Sequence, residues 1–402
     1  MENIYLDHAA TAPTRDEVWS AMTSARGEAD YNAASTHAFG LAAGERLEES
    51  RRRLAELLDV PRRRLRFTGG GTASDNLAVL GFARAHAGSS PRILISEIEH
   101  RAVLAAAERA GREGAEVTRL PVDASGRLEL AALERELERG DDDRPTLVSV
   151  MWANNEIGTV QPVAEVRERA HAHDALFHTD AVQALGKVPV SLEAVPADLL
   201  TATAHKLGGP VGIGLLALGD DADLEPLFYG GEQEKGMWPG TQNPLAAVGF
   251  AEAARLAVGE RAERTAAWSR WRSELERSLA DRVDGLRIRG VDAPERLPHL
   301  LNVGVPGCDQ AALLVSLDME GIAVSSGSAC SSGAVEPSHV LEALGEPPPD
   351  EVGTIRFSFG PSTREEDVRA AADAVVRVVD RLRDAGTGAG TGLGPSAARA
   401  EA

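Results

Sequence analysis

An aspartate and a lysine that could act together in catalysis stand at the ends of apolar runs of the sequence. Asp180 closes the run ALFHTD, Lys206 closes ADLLTATAHK, and the glycine-rich turn GGGT at 69–72 precedes a helical pattern. A lysine can bind pyridoxal 5'-phosphate (PLP) as a Schiff base, and a carboxylate can keep the pyridine nitrogen of that cofactor protonated. Free N–H groups at the start of a helix can hold a phosphate. Together these features predict a PLP site.

Each of these residues also has an ordinary explanation when it is considered alone. Lys206 could be a solvated surface lysine. Asp180 could cap a helix, as could His100, which ends the run ISEIEH. The glycine turn is neither a GxGxxG fingerprint nor a Walker loop, because the required Lys-Ser/Thr pair is absent. The prediction therefore depends on the combination of these residues at successive strand ends, where parallel α/β sheets bind ligands.

One of the two cysteines lies in a run of small polar residues, VSSGSACSSG at 324–333. A structural cysteine packs against apolar side chains, and Cys330 has no such neighbours in the sequence. We therefore expect Cys330 on an exposed loop, where its thiolate is accessible as a nucleophile. Cys308 precedes the helical pattern AALLVSLD and is predicted to be a packed thiol. The exposed setting of Cys330 argues against a disulfide between them.

Apolar runs and helical patterns alternate along much of the chain, which predicts an α/β fold with a mixed, mostly parallel sheet covered by helices. A long helical connector is expected from Pro244 to about Val283, followed by a smaller α+β domain. We predict four parts: residues 1–15 as an N-terminal segment packed on the small domain, 16–257 as the large PLP-binding domain, 258–385 as the small C-terminal domain with the cysteine loop at about 324–336, and 386–402 as a disordered tail.

The composition argues against several classes of function. The 402 residues include 42 Lys and Arg against 62 Asp and Glu, a formal net charge of -20 that disfavours direct binding to nucleic acid or to anionic membranes. No apolar run approaches the roughly 20 residues that cross a bilayer, and the N-terminus has no signal-peptide pattern, so we expect a cytoplasmic protein. The cluster HAHDALFH at 171–178 contains zinc-binding residue types. Helix and strand periodicity scatters them over different faces, so no metal site is predicted.

A set of short motifs spans most of the sequence. They are YLDHAATAP, FTGGGTASDNLA, EIEHRAVL, NNEIGTVQP, HTDAVQALGK, TAHKLGGPVGIG, SSGSACSSG, EPSHVL and IRFSFG. These motifs resemble those of the cysteine desulfurases, PLP enzymes of fold type I in the class V aminotransferase family. The likeness runs from about Tyr5 to about Gly360, and SSGSAC followed by EPSHVL is its most specific part. It implies a PLP-dependent transferase fold of type I.

The resemblance implies roles for individual residues of this chain. Lys206 is the lysine of the Schiff base, Asp180 pairs with the pyridine nitrogen, and Gln183 bonds the phenolic oxygen of PLP. His100 stacks on the cofactor ring and assists proton transfer, and Cys330 is the nucleophile. The implied phosphate ligands are Gly71, Thr72, Thr203, His205 and, reaching across a homodimer to the other subunit, Thr241. The implied substrate ligands are Asn32, Asn155, which also borders the cofactor, and Arg356, which clamps the substrate carboxylate.

The resemblance also implies a reaction and its partners. L-Cysteine is converted to L-alanine, while the sulfur passes to Cys330 as a persulfide and then to a protein acceptor. An iron-sulfur scaffold, a thiouridylase or a sulfur carrier would each leave the active site unchanged, so the acceptor stays open. Two alternatives also stay open: a selenocysteine lyase or other class V PLP transaminase or lyase, and a scaffold that keeps the fold without catalysis. The intact set Lys206, Asp180, His100 and Arg356 argues against the scaffold.

Overall fold

The strands form three sheets of unequal size in the computed structural model, which describes residues 3–139, 144–327 and 337–389. In chain order the strands are β1 (Ile4–Tyr5), β2 (Leu65–Thr68), β3 (Arg92–Ser96), β4 (Glu116–Leu120), β5 (Thr146–Ser149), β6 (Leu176–Asp180), β7 (Leu199–Thr203), β8 (Gly214–Leu218), β9 (Arg287–Ile288), β10 (Leu300–Pro306), β11 (Ile322–Ala323) and β12 (Val352–Ser358).

Helices account for most of the remaining regular structure. In chain order they are α1 (Asp16–Ala25), α2 (Ala38–Leu57), α3 (Gly71–Ala85), α4 (Arg101–Arg112), α5 (Leu130–Arg139), α6 (Val163–Ala172), α7 (Pro244–Gly259), α8 (Arg261–Arg282), α9 (Gln310–Met319), α10 (His339–Ala343) and α11 (Glu365–Ala389). The expected helical connector after Pro244 is thus two helices, α7 and α8, which meet at Glu260.

The largest sheet has seven strands in the order β2-β8-β7-β6-β5-β3-β4. Only β8 runs against the others, because it pairs antiparallel with both β2 and β7. Every residue of β3, β5, β7 and β8 is buried, as expected for strands covered by helices on both faces. The predicted α/β fold with a mixed, mostly parallel sheet is confirmed.

A second hydrophobic cluster surrounds a three-stranded antiparallel sheet in the order β12-β10-β9. Helices α8, α9 and α11 pack against this sheet through residues such as Leu275, Leu313 and Val375. Cys308 is buried in the same cluster as a free thiol. Helix α11 ends at Ala389, inside the segment predicted to be a disordered tail, and the rest of that segment lies outside the described residues. The predicted domain boundaries stay a prediction.

The N-terminal segment contacts both hydrophobic clusters. Strand β1 pairs in parallel with β11, and Leu6 packs in the cluster around the small sheet. Ala9, three residues later, packs in the cluster of the large sheet. This segment therefore runs between the two cores. Within the described part of the chain, no helix is both long and apolar enough to cross a membrane.

Candidate active site

A cavity of about 900 Å³ opens where the parallel strands of the large sheet end. Its size suits a cofactor together with a small substrate. Strands β3, β5, β6 and β7 each deliver polar side chains to it, directly or through the turn that follows. Most of the predicted site residues line this one cavity: Gly71, Thr72, His100, Asn155, Asp180, Gln183, Thr203, His205, Lys206 and Arg356.

Helix α3 begins at the wall of the cavity with a turn that only glycine fits well. Gly70 has a φ of 138°, a conformation that side chains with a Cβ rarely adopt. A Cβ on Gly71 would lie 3.1 Å from Cγ2 of Val182, so this turn lies close against the loop after β6. The backbone N–H groups of the first turn of a helix have no partner within the helix and favour an anion. This end of the cavity is therefore suited to a phosphate.

Lys206 lies in a single 3-10 turn, Ala204–Lys206, directly after β7. Its Nζ donates hydrogen bonds to the backbone oxygens of Ala9 and Ala10, at 2.7 and 2.6 Å. The two carbonyls come from the N-terminal segment and hold the amine at the cavity wall. An aldehyde bound in this cavity would meet the amine there.

Asp180, the last residue of β6, lines the cavity and lies near two other buried acids, Asp75 and Glu99. Its Oδ1 accepts a hydrogen bond from the backbone N–H of Val182 at 2.8 Å. Burial raises the pKa of Asp180 to about 6, although that hydrogen bond and the charge of Lys206 oppose the rise. Burial and the nearby Asp180 also raise the pKa of Asp75 well above its usual range. A cationic ring nitrogen beside Asp180 would favour its ionised form.

His100 lies between β3 and α4, where it caps a helix and also lines the cavity. Its Nδ1 accepts a hydrogen bond from the backbone N–H of Ala102 at 3.1 Å, so the ring caps α4. Burial, together with the positive charge of Lys206, lowers the pKa of His100 to about 4. The ring is therefore neutral at pH 7 and carries its proton at Nε2. Both the helix-capping explanation and a place at the cavity wall apply to this residue.

Arg356, in β12, is 2% exposed and closes the cavity on the side of the small sheet. Its Nη2 donates to Oδ1 of Asp7 at 2.7 Å, and its Nη1 donates to the backbone oxygen of Asn155 at 2.9 Å. These contacts fix the plane of the guanidinium group. A fixed guanidinium is the group that binds a carboxylate through two parallel hydrogen bonds.

Two predicted site residues, Asn32 and Thr241, do not line this cavity. Asn32 is exposed, and its Oδ1 accepts a hydrogen bond from the backbone of Ala34 at 2.9 Å, which stabilises a local turn. Thr241 is exposed in the loop before α7 and was expected to serve the other subunit. Cys330 lies outside the described residues. The roles of all three stay predictions.

The residues that line the cavity fit PLP. Gln183 is 5% exposed, and its Oε1 has no hydrogen-bond partner within the described part of the chain, so a polar group of a bound molecule would satisfy it. The glycine turn would hold the phosphate, Asp180 the ring nitrogen, and Lys206 the aldehyde carbon. The described residues contain no group of three or more His, Cys, Asp or Glu placed to bind a metal.

Sequence reasoning missed several residues that line or support this site. Asp75 borders the cavity and is 1% exposed, Asp7 pairs with Arg356, and His339 lies at the cavity wall, with Nε2 2.9 Å from the backbone oxygen of Glu99. All three stand inside motifs quoted above, FTGGGTASDNLA, YLDHAATAP and EPSHVL. The motifs could have identified them, although the contacts themselves depend on the folded chain.

Residues 4–370 match the aminotransferase class-V family. A putative cysteine desulfurase IscS 1 of Bacillus subtilis (strain 168) is 41% identical over 95% of this chain and 100% of its own length. The solved structure of a NifS-like protein has a TM-score of 0.86 at 32% identity, over 94% of this chain and 100% of that one. A structure described as SspA in complex with cysteine has a TM-score of 0.75 at 28% identity, over 90% and 100%.

These similarities extend over nearly the whole chain and include the strands that carry the cavity. They confirm the predicted resemblance to the cysteine desulfurases and the fold that it implied. The chain belongs to the aminotransferase class-V family.

Proposed function

We propose that this chain is a PLP-dependent cysteine desulfurase, which converts L-cysteine to L-alanine and passes the sulfur to Cys330 as a persulfide. One observation supports the proposal most strongly. In a chain of this family, a single cavity is lined by Lys206, Asp180, His100 and Arg356. The similar protein described in complex with cysteine supports the choice of substrate.

PLP, when bound, supplies an aldehyde that captures amines and a ring that withdraws electrons from the bonds at the substrate Cα. Arg356 orients the substrate by its carboxylate. Lys206 then holds and moves the proton at Cα, and the neutral His100 ring lies near enough to the cavity to assist at its Nε2. Asp180, when ionised, would stabilise a positive charge on the ring nitrogen of bound PLP.

Sulfur transfer requires one bond to break and one to form. The Cys330 thiolate attacks the substrate sulfur, so an S–S bond forms as the Cβ–S bond breaks. The electron pair of the Cβ–S bond stays with the carbon skeleton, which takes up protons and leaves as alanine. No external oxidant is needed, because the carbon skeleton is reduced to alanine by the same electron pair that the sulfurs give up in forming the persulfide.

Two further parts of the proposal concern partners. A homodimer would allow Thr241 of each subunit to reach the phosphate site of the other. A protein acceptor, such as an iron-sulfur scaffold, a thiouridylase or a sulfur carrier, would take the sulfur from Cys330. The names IscS and NifS of the similar proteins support sulfur transfer of this kind.

The test is an assay of alanine and sulfide from the PLP-loaded chain with L-cysteine and a reductant. We expect the two products in equal amounts from the wild type and their loss in Cys330→Ala. Cys308→Ala is the matched control, because Cys308 is the other cysteine of the chain and is buried away from solvent. Equal activity in Cys330→Ala and wild type would contradict the assignment of the nucleophile. Absence of sulfide from the wild type would contradict the proposed reaction.

A further inference from the structure

Three consecutive residues of the loop between β8 and α7 have a left-handed backbone conformation. Glu234, Lys235 and Gly236 have φ values of 50°, 58° and 77°. Glycine adopts such values readily, but a residue with a Cβ adopts them at a cost, and then usually as a single residue. Two neighbouring non-glycine residues in this region therefore mark a strained turn. Strain of this kind persists only where surrounding contacts hold it, and it is often found at functional sites.

The side chain of Glu234 supplies contacts that hold this turn. Glu234 is 5% exposed, and its carboxylate accepts two hydrogen bonds from Arg51 of α2, at 2.7 and 2.8 Å. It also accepts hydrogen bonds from the backbone N–H of Phe67 in β2, at 2.9 Å, and from the side chain of Gln242. One carboxylate thus joins a helix, an edge strand of the large sheet and both ends of residues 233–242, which we name the Glu234 loop.

The Glu234 loop forms part of the wall of the candidate active-site cavity, because Trp238 lines that cavity. A Cβ on Gly69 would lie 3.3 Å from Cζ2 of Trp238, so the indole lies against the glycine turn that precedes α3. Phe228 packs against the indole in an edge-to-face arrangement, with ring centroids 5.1 Å apart. Phe67, which bonds Glu234, stands two residues before Gly69. Glu234 is therefore connected to the glycine turn both through β2 and through the Trp238 ring.

Stability alone does not explain this arrangement. Arg51 and Glu234 are both buried, at 7% and 5% exposure, and the cost of removing two charges from water can exceed what their attraction returns. The left-handed turn adds a further cost. Apolar side chains and a glycine could fill the same space without either cost. They would lack the directional hydrogen bonds that fix the loop in one conformation, because apolar burial has no preferred direction.

We propose that Glu234 is a positioning residue for the cofactor site: its carboxylate holds the left-handed turn, and the turn places the Trp238 ring against the glycine turn. The wall at the phosphate end of the cavity is thereby formed in advance of cofactor binding. The proposal rests on the proposed function in taking PLP as the cofactor. Thr241, which is expected to bind phosphate in a neighbouring subunit, stands in the same loop and would be positioned by the same contacts.

The first test removes both buried charges together. In the double variant Arg51→Met and Glu234→Met, two apolar side chains replace the ion pair, so no buried charge loses its partner. The free energy of unfolding, measured with denaturant, should stay near that of the wild type. The Kd for PLP should rise by about fivefold or more, and the Kd for pyridoxal by less than about twofold, because the wall at the phosphate end is no longer preorganised. Absorbance titrations measure both Kd values.

Lys235 allows a second test that leaves the ion pair and the cavity wall unchanged. The residue is exposed, and its φ of 58° is unfavourable for a β-branched side chain. Lys235→Val should therefore weaken PLP binding, whereas Lys235→Gly tolerates this φ and should bind PLP as the wild type does. Asp174→Val is the matched control. Asp174 is also exposed, with a φ of 54°, but it precedes β6 and so lies at the opposite end of that strand from the cavity. This control should lose stability without a change in the Kd for PLP.

A third readout requires no cofactor. The chain has five tryptophans, and in protein labelled with fluorinated tryptophan the Trp238→Phe variant identifies the fluorine NMR signal of Trp238. That signal should move in the double variant and in Lys235→Val, and should stay in place in Lys235→Gly and Asp174→Val. A Trp238 signal at its wild-type position in the double variant would overturn the proposal, as would an unchanged Kd for PLP. The fluorine measurement uses neither PLP nor cysteine, so its failure and the failure of the proposed desulfurase reaction are distinguishable.

Discussion

Arg356 has protein partners on both of its terminal nitrogens, among them the carboxylate of Asp7 and the backbone oxygen of Asn155. Their fixed geometry suits the planar guanidinium group. Lysine, with a single ammonium group, cannot keep these contacts while binding a carboxylate through two hydrogen bonds.

We therefore expect Arg356→Lys to raise the KM for L-cysteine by roughly tenfold to a hundredfold, since a bidentate charged contact is worth about 1.5 to 3 kcal/mol. Steady-state alanine production at a series of cysteine concentrations measures the change. Arg63→Lys is the control, because Arg63 is an exposed residue that pairs with Asp220 at the surface. An unchanged KM in Arg356→Lys would show that another residue binds the substrate carboxylate.

The buried Asp180 should make the stability of the cofactor-free chain depend on pH. Burial raises its folded-state pKa to about 6 from an ordinary 3.8. The native cofactor-free chain thus binds this proton more tightly than the unfolded chain does. The resulting stability is fully present below about pH 4 and is lost as the pH rises through 6. Asp180→Asn avoids the cost of a buried charge, and its amide oxygen can still accept the hydrogen bond from Val182.

Cofactor-free Asp180→Asn should therefore unfold a few degrees above wild type at pH 8, with little difference at pH 4. Thermal unfolding followed by circular dichroism at both pH values provides the measurement. The same variant should bind PLP more weakly, since the partner of the ring nitrogen has lost its charge. A stabilisation of equal size at both pH values would contradict the titration of Asp180, and Asp220→Asn is the exposed control.

At the scale of elements, the approach of β8 to the start of α3 shapes the phosphate end of the cavity. A Cβ placed on Gly214, the first residue of β8, would lie 2.6 Å from the backbone carbon of Gly70. Backbone atoms cannot move aside as easily as the end of a flexible side chain can. The larger residue would therefore displace the glycine turn that precedes α3.

We expect Gly214→Ala to weaken PLP binding at least tenfold and to lower the free energy of unfolding by about 1 to 3 kcal/mol. Absorbance titrations with PLP and with pyridoxal, which lacks the phosphate, separate the two effects. The loss should be larger for PLP. Gly88→Ala is the matched control, because nothing lies within 4 Å of a Cβ at that position. Equal losses for both ligands would argue that the turn does not hold the phosphate.

The sequence predicted the elements better than it predicted the contacts between them. Runs such as RILIS in β3 and LLTAT in β7 are short and rich in leucine and in β-branched isoleucine or threonine, so the strands could be expected. Asp180, His100 and Lys206 could be located because they end such runs. The pairing of Asp7 with Arg356, and of Lys187 with the Lys206 turn, could not, since no local pattern records which distant segments meet.

At the scale of the whole molecule, the proposed homodimer makes Thr241 a residue of the neighbouring site. Lys206→Ala should abolish activity, and Thr241→Val should reduce it by weakening phosphate binding. In a mixed dimer of the two variants, one site would carry both defects and the other would carry neither. Reconstituting the two variants together should therefore give more activity than the average of the two separate homodimers.

Production of alanine by co-refolded mixtures measures this gain, and sedimentation confirms that dimers have formed. The control joins both changes in one chain and mixes it with wild type, where every mixed dimer would have a defect in each site. Activity no greater than the average in the first mixture would place Thr241 at its own subunit's cavity or outside both.

The ion pair between Asp7 and Arg356 joins residues 349 positions apart. The amine of Lys206 is likewise held by Ala9 and Ala10, near the opposite end of the chain from β12. During synthesis, residues 7–10 leave the ribosome long before their partner in β12 is made. The Asp7–Arg356 ion pair therefore cannot form on a nascent chain that ends before β12, and under the proposed function such a chain should not bind cysteine in this way. Synthesis of β12 is the step that allows these distant segments to come together.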